Sequence, residues 1–129
     1  MTGHDVGQWA ALKLEIVLSE PYVAFGWLEN DEPRCAIVFN HYSGTNIDIH
    51  CFCPGLITRE IVRTSYRYAF ETAGVVRVTS ITKRSNKPML RLLPRLGFTY
   101  ESTAKNLFGL GRDGIINRLD RQNAEKWMN

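Results

Sequence analysis

Cysteine is scarce in this chain: three in 129 residues, an odd number that cannot make a disulfide framework. Cys51 and Cys53 are two apart and would share one face of a strand, but no partner pair at zinc spacing accompanies them. Buried thiols are the simpler reading, and no metal is expected. Long apolar runs are lacking too. No stretch reaches the roughly 18 residues that a membrane-spanning helix needs. The opening MTGHDVGQWAALKLE has no basic region before an apolar core, so it does not read as a secretory leader, and the cytoplasm is the expected compartment. Charge of one sign is weak, with a formal net charge of +3. No linker, repeat or low-complexity stretch divides the chain, which predicts a single domain over residues 1–129.

What is present is an ordinary globular composition, 44% hydrophobic and 22% charged. Asp5 to Leu18 reads as a helix with Asp5 as N-cap and Trp9, Leu12 and Ile16 on one apolar stripe, stopped by Pro21. Tyr22–Leu28, Cys35–Phe39 and Thr45–Phe52 follow as strands separated by short polar turns, most simply an antiparallel meander. Pro54-Gly55 ends the third strand. Thr58 then caps a helix over Arg59–Ala73, with Ile61, Val62, Tyr66, Ala69, Phe70 and Ala73 facing inward and Gly74 just past its end. Arg59, Arg63 and Arg67 form a polar stripe on that helix. The fourth strand, Val75–Thr82, is reached through the helix and is expected to lie parallel to the third. Thr99 to about Phe108 and Ile115–Leu119 predict a hairpin, and 120–129 a short C-terminal helix with Trp127 available to anchor it.

The chain is organised around RVTSITKRSNKPMLRLLPRLGF, residues 77–98. Alternating β-branched residues give a strand, and Lys83-Arg84-Ser85-Asn86 gives a polar turn. Met89, Leu90, Leu93 and Leu96 then share a helix face before Gly97 reverses the chain. Pro94 removes a helical hydrogen bond and predicts a kink or an early end. This unit resembles the second half of the acetyl-CoA site in the GNAT superfamily of N-acetyltransferases, where an Asn opens the helix and Leu-Gly-Phe closes it. Asn86 and Leu96-Gly97-Phe98 stand at that spacing. Tyr22-Val23-Ala24-Phe25-Gly26-Trp27, Asn46-Ile47-Asp48 and Asp113-Gly114 look like segments of small stand-alone members from phage and bacteria. The resemblance covers about Tyr22 to Leu119, with the N-terminal part of the family order slightly trimmed. It implies an α/β (α+β) fold: a mixed, mostly antiparallel sheet of about six strands, helices on both faces, and a splayed parallel pair at the acetyl-CoA site.

In that family the pantetheine arm pairs with the strand before the crossover helix, so Cys51, Phe52 and Cys53 would lend main-chain groups. The pyrophosphate would sit at Thr58 and Arg59, where unpaired N–H groups and the helix dipole favour anions. The usual Gly-rich loop is replaced here by Pro54-Gly55-Leu56-Ile57, and Arg59 and Arg63 are candidates to compensate; equally, they suit an exposed helix face. Asn86 would bond to the cofactor, cap its helix, or do both, with Met89 packing beside it. Asp48 and then His50, on one strand face, are the candidate general bases; the alternative is a pair of satisfied polar groups on a half-exposed strand. The family's usual thiol acid, a Tyr, falls at Leu93, leaving Tyr100, Tyr42 or water. Trp27, His41, Tyr42, Phe108 and Asn46 are candidates to line the acceptor side.

The function implied is acetyl transfer from acetyl-CoA to a primary amine of a small molecule, peptide or protein by direct attack on the thioester. A GNAT-like protein that binds an acyl-CoA or a partner without turnover is the alternative. A small basic nucleic-acid-binding domain ranks third, because aromatics are not interleaved with the Arg and Lys residues. Two copies pairing along their last strands is a further expectation from the family.

Overall fold

All six strands expected from the β-branched and aromatic runs form, and they make one sheet in the order β1-β2-β3-β4-β6-β5. The computed structural model describes residues 3–14, 16, 18 and 20–129. Helix α1 is His4–Leu14, β1 Tyr22–Glu29, β2 Glu32–Asn40 and β3 Asn46–Phe52. Helix α2, Arg59–Arg67, runs on as a π-helical segment over Tyr68–Thr72. Strand β4 is Arg77–Lys83, α3 Lys87–Leu92, β5 Thr99–Ala104, β6 Gly114–Asp120 and α4 Arg121–Met128. Among the described residues only β3 and β4 are parallel; the other four pairings are antiparallel. The sheet is therefore mixed and mostly antiparallel, as the resemblance implied. Among the described residues no helix is long and apolar enough to cross a membrane.

Strand β2 is buried on both faces from Cys35 to Asn40, and its alternation sorts the molecule into two layers. Cys35, Ile37 and Phe39 join Ile47, Ile61, Tyr66, Phe70 and Leu119 in the main core beneath α2 and α4. Ala36 and Val38 face the other way, with Ala24, against Val6 and Ala10 of α1. In helix α1 Trp9 packs against this layer as its stripe suggested, but Leu12 does not. Leu12 is 79% exposed, while Val6, Gly7, Ala10 and Ala11 are buried. Small side chains let the helix lie close to the sheet: a Cβ at Gly7 would run into the Tyr22 ring, whose hydroxyl donates to the His4 carbonyl. The expected extension of this helix to Leu18 passes through residues 15 and 17, which lie outside the described residues.

In α2 the predicted inward face holds for Ile61, Val62, Tyr66, Ala69 and Phe70. The expected α-helix over Arg59–Ala73 instead widens to a π-helical segment at its end, closed by Ala73 N–H donating to the Tyr68 carbonyl. Pro94 acts as expected: regular α-helix ends at Leu92, and Leu93–Leu96 is a 3₁₀ turn. Gly97 then takes φ 98°, and Phe98 N–H donates back to the Leu93 carbonyl, closing the turn. The last strand, β6, is an interior strand between β4 and β5, so the exposed edge at this end is β5. The hairpin leaves the outer position to its first strand because β6 pairs with β4 over seven residue pairs.

Candidate functional site

Strands β3 and β4 are hydrogen-bonded as neighbours only from Asn46↔Arg77 to Ile49↔Ser80. Beyond that point each follows its other neighbour. β3 stays in register with β2 up to Ala36↔Phe52, and β4 with β6 up to Lys83↔Gly114. Strand twist then carries the two apart. A cavity of about 520 Å³ opens in the fork. Tyr66, Met89 and Leu93 line it from the main-core side, and His41, His50 and Phe108 line it from the α1 side. It therefore runs through the sheet rather than into one face of it.

On the α1 side the even-numbered residues of β3 carry a chain of polar contacts. His41, just past β2, holds a left-handed backbone conformation with φ 53°. Its Nδ1 lies 2.8 Å from Asp48 Oδ2. The other Asp48 oxygen accepts from Asn46 Nδ2 at 3.1 Å, and Asn46 Oδ1 accepts from the Thr79 hydroxyl at 2.6 Å. Thr79 accepts in turn from Arg77 Nη2, and Arg77 pairs with Glu101 through its two terminal guanidinium nitrogens. His50 takes a different partner, its Nε2 standing 2.8 Å from Asn40 Oδ1. Burial holds the His50 imidazole below the ordinary histidine range, against the opposing pull of the Asp48 charge, and His41 adds to the lowering.

On the other side, Asn86 caps α3 by accepting from Met89 N–H at 3.3 Å, and both residues line the cavity. Cys51 lines it as well, whereas Phe52 turns to the α1 layer with its ring edge on Trp9. Cys51 and Cys53 share a face with Cys35 of β2. The hydrogen bond with Cys51 is the main cause that pushes the Cys35 thiol up to about 12, and Cys35 in turn raises Cys53. Cys35 and Cys53 are therefore neutral near pH 7. Among the described residues no group of three His, Cys, Asp or Glu side chains is arranged to hold a metal ion.

Thr58 caps α2 as predicted, accepting from Ile61 N–H at 3.3 Å. The arginine stripe goes elsewhere. Arg59 donates to the Lys126 carbonyl at 2.8 Å and stands over the Trp127 ring, and Arg67 donates to the Met128 carbonyl at 2.6 Å. Arg59 and Arg67 thus satisfy carbonyls at the C-terminal end of α4, and Arg63, one turn from each, does not line the cavity. The cation that does approach the loop before α2 is Arg34 of β2, whose guanidinium would stand 3.2 Å from a Cβ on Gly55. Of the residues expected on the acceptor side, His41 and Phe108 line the cavity, while Trp27 packs into the main core and Tyr42 donates to the Ala73 carbonyl. Asn46 does not line the cavity and is bonded to Asp48. Tyr100, considered for the thiol, is exposed on β5 and bonded to Thr103. Tyr66, Lys83 and Asn40 also line the cavity: the sequence pattern places Tyr66 in the core and Lys83 in the polar turn, and Asn40 carries no motif.

No protein-family model and no curated protein matches the sequence. Solved structures do match. The N-acetyltransferase PseH of Campylobacter jejuni, in complex with acetyl coenzyme A, superposes with a TM-score of 0.62 at 18% identity, over 80% of this chain and 70% of that one. A T. thermophilus protein taken to be an acetyltransferase gives 0.71 at 17% identity, over 85% of this chain and 64% of its own. A mutant of the spermidine N-acetyltransferase SpeG of Vibrio cholerae gives 0.67 at 12% identity, over 97% and 78%. The chain has the GNAT fold. At these identities the likeness is one of architecture, and the chain spans less than two thirds of the T. thermophilus protein. Within the GNAT fold the fork between β3 and β4 is the splayed parallel pair expected above, and the helix after Asn86 stands at its mouth.

Proposed function

We propose that the protein is an acetyl-CoA-dependent N-acetyltransferase that moves an acetyl group to a primary amine. The observation that carries this reading is the cavity through the fork, lined by Asn86 and Met89 on one side of the sheet and by His41 and His50 on the other. Its apolar walls and the β3 edge left without a β4 partner beyond Ile49 suit an extended amide-bearing arm such as pantetheine. The N-terminus of α2, capped by Thr58, and Arg34 beside Gly55 are the groups that suit the phosphates. Bound acetyl-CoA supplies the activated acyl group. Residues of this chain orient it, exclude water and take the proton of the amine, with Asp48 and His50 on the face where the acceptor enters.

The acceptor carries at least one primary amine, on a small molecule, a peptide or a protein. A second reading, binding of an acyl-CoA without turnover, is favoured by Leu93, an apolar residue in the cavity where the family's thiol acid would stand. Calorimetric titration with acetyl-CoA tests both. Micromolar binding weakened by Asn86→Ala, followed by amine-dependent release of CoA thiol, supports the transferase. Binding with no release on any amine supports the second reading, and no binding to folded protein removes both.

A further inference from the structure

Three ionisable side chains compete for the acceptor's proton, and their surroundings differ. Asp48 is 13% exposed at its side chain, with one oxygen on His41 and the other on Asn46. His50 is largely buried, lowered by that burial, and tied through Nε2 to Asn40. His41 is 54% exposed at its side chain, lines the cavity, and has a carboxylate on one ring nitrogen. Asp48 Oδ2 can only accept, so Nδ1 of His41 carries the proton of that bond and the lone pair lies on Nε2. The Asn46–Thr79–Arg77 chain behind Asp48 holds the carboxylate in place. The left-handed backbone at His41, uncommon for a residue with a side chain, sets the ring against β3.

We infer that His41 is the general base of this site and that Asp48 is its positioning residue. The inference rests on the transferase reading. The acceptor's ammonium gives its proton to His41 Nε2. The amine lone pair then forms the N–C bond as the C–S bond breaks and the electron pair leaves on sulfur; the second proton of the amine nitrogen passes through water to that thiolate, giving the amide and the free thiol. Asp48 keeps the imidazole in the Nδ1–H tautomer and steadies the cation that forms. Among the described residues, Asp48 and His50 from β3 are the ionisable groups shown to act on His41 or be acted on by it, and Lys83 and Tyr66 line the same cavity.

The test uses the full chain with His41→Asn, which suits a left-handed backbone position, and Asp48→Asn. Without ligand, ¹⁵N imidazole spectra should show His41 as the Nδ1–H tautomer in wild type and a shift toward Nε2–H in Asp48→Asn. With acetyl-CoA and a panel of benzylamine, a lysine peptide and spermidine, His41→Asn should lower kcat/KM by about 10²–10⁴-fold. Added imidazole should restore part of that loss in His41→Asn and none in Asp48→Asn. An Nε2–H tautomer in wild type, or a His41→Asn rate within threefold of wild type, overturns the assignment. A wild type that binds acetyl-CoA but acetylates none of the amines also overturns it. Failure to bind acetyl-CoA at all instead sinks the transferase reading, and this assignment with it.

Discussion

The two faces of β3 lie one residue apart along the chain and have opposite duties. Ile47, Ile49 and Cys51 point into the main core, where packing beneath α2 and α4 holds the sheet together. Asn46, Asp48 and His50 point to the α1 side, where they make hydrogen bonds to His41, Thr79 and Asn40. The α1 layer is thin, built from Val6, Ala10, Ala24, Ala36 and Val38. The thin layer leaves room for the polar groups of the site, whereas the thick layer of Tyr66, Met89 and Leu93 gives the same cavity its apolar wall. The pairing rule of the strand is what lets one element serve both: a period of two keeps the sets apart.

The comparison breaks most plainly at Phe70, fully buried on the thick face. Phe70→Ala should lower unfolding free energy in urea titration by about 3–5 kcal/mol. A loss under about 1 kcal/mol would show that this face does not carry the stability. Next comes Gly97, where φ is 98° and a Cβ would stand 2.6 Å from the Asn123 carbonyl oxygen. Gly97→Ala should cost at least about 1–2 kcal/mol from the left-handed backbone alone, seen as a lowered midpoint at unchanged slope.

Asn86 sharpens the comparison because it belongs to both stability and site. Asn86→Ala should cost about 1 kcal/mol through the lost cap on Met89 N–H and also weaken acetyl-CoA binding. Equal calorimetric affinity in the two proteins would leave Asn86 a cap only. The smallest effect concerns His50. Its folded-state pKa is lowered by burial, so below the ordinary value of about 6.5 the unfolded chain takes up the proton more readily. Stability is thus complete above that value and declines as the pH falls through it toward the lowered folded value. His50→Gln should flatten the decline, measured as the difference between urea midpoints at neutral and mildly acidic pH. An unchanged slope would place the acid sensitivity elsewhere.

Much of this architecture was legible from residue pattern. The run from Arg77 to Phe98 announced strand, cap, helix and reversal in order, since Asn86, Pro94 and Gly97 act through local backbone geometry that any context preserves. The parallel step between β3 and β4 followed from the helix between them. Where the pattern misled, the deciding contact was remote in sequence. Leu12 is larger than Ala10 or Ala11, yet the small residues are buried because the sheet approaches closely there. Arg59 and Arg67 form a cationic stripe in sequence, but their targets are α4 carbonyls more than sixty positions away. Asp48 and His50 do share one strand face, but their hydrogen-bond partners His41 and Asn40 come from the end of β2 and the turn after it.

The sequence by itself determined the element order, the caps and turns, the inward face of α2 and the two faces of β3. These depend on φ/ψ preferences and on periods of 2 and 3.6, which act between near neighbours. Only the tertiary structure decided where β3 and β4 part, which histidine meets Asp48, and which arginines are committed to α4. Those outcomes are set by strand twist and by groups brought together from distant parts of the chain, and no local preference encodes them.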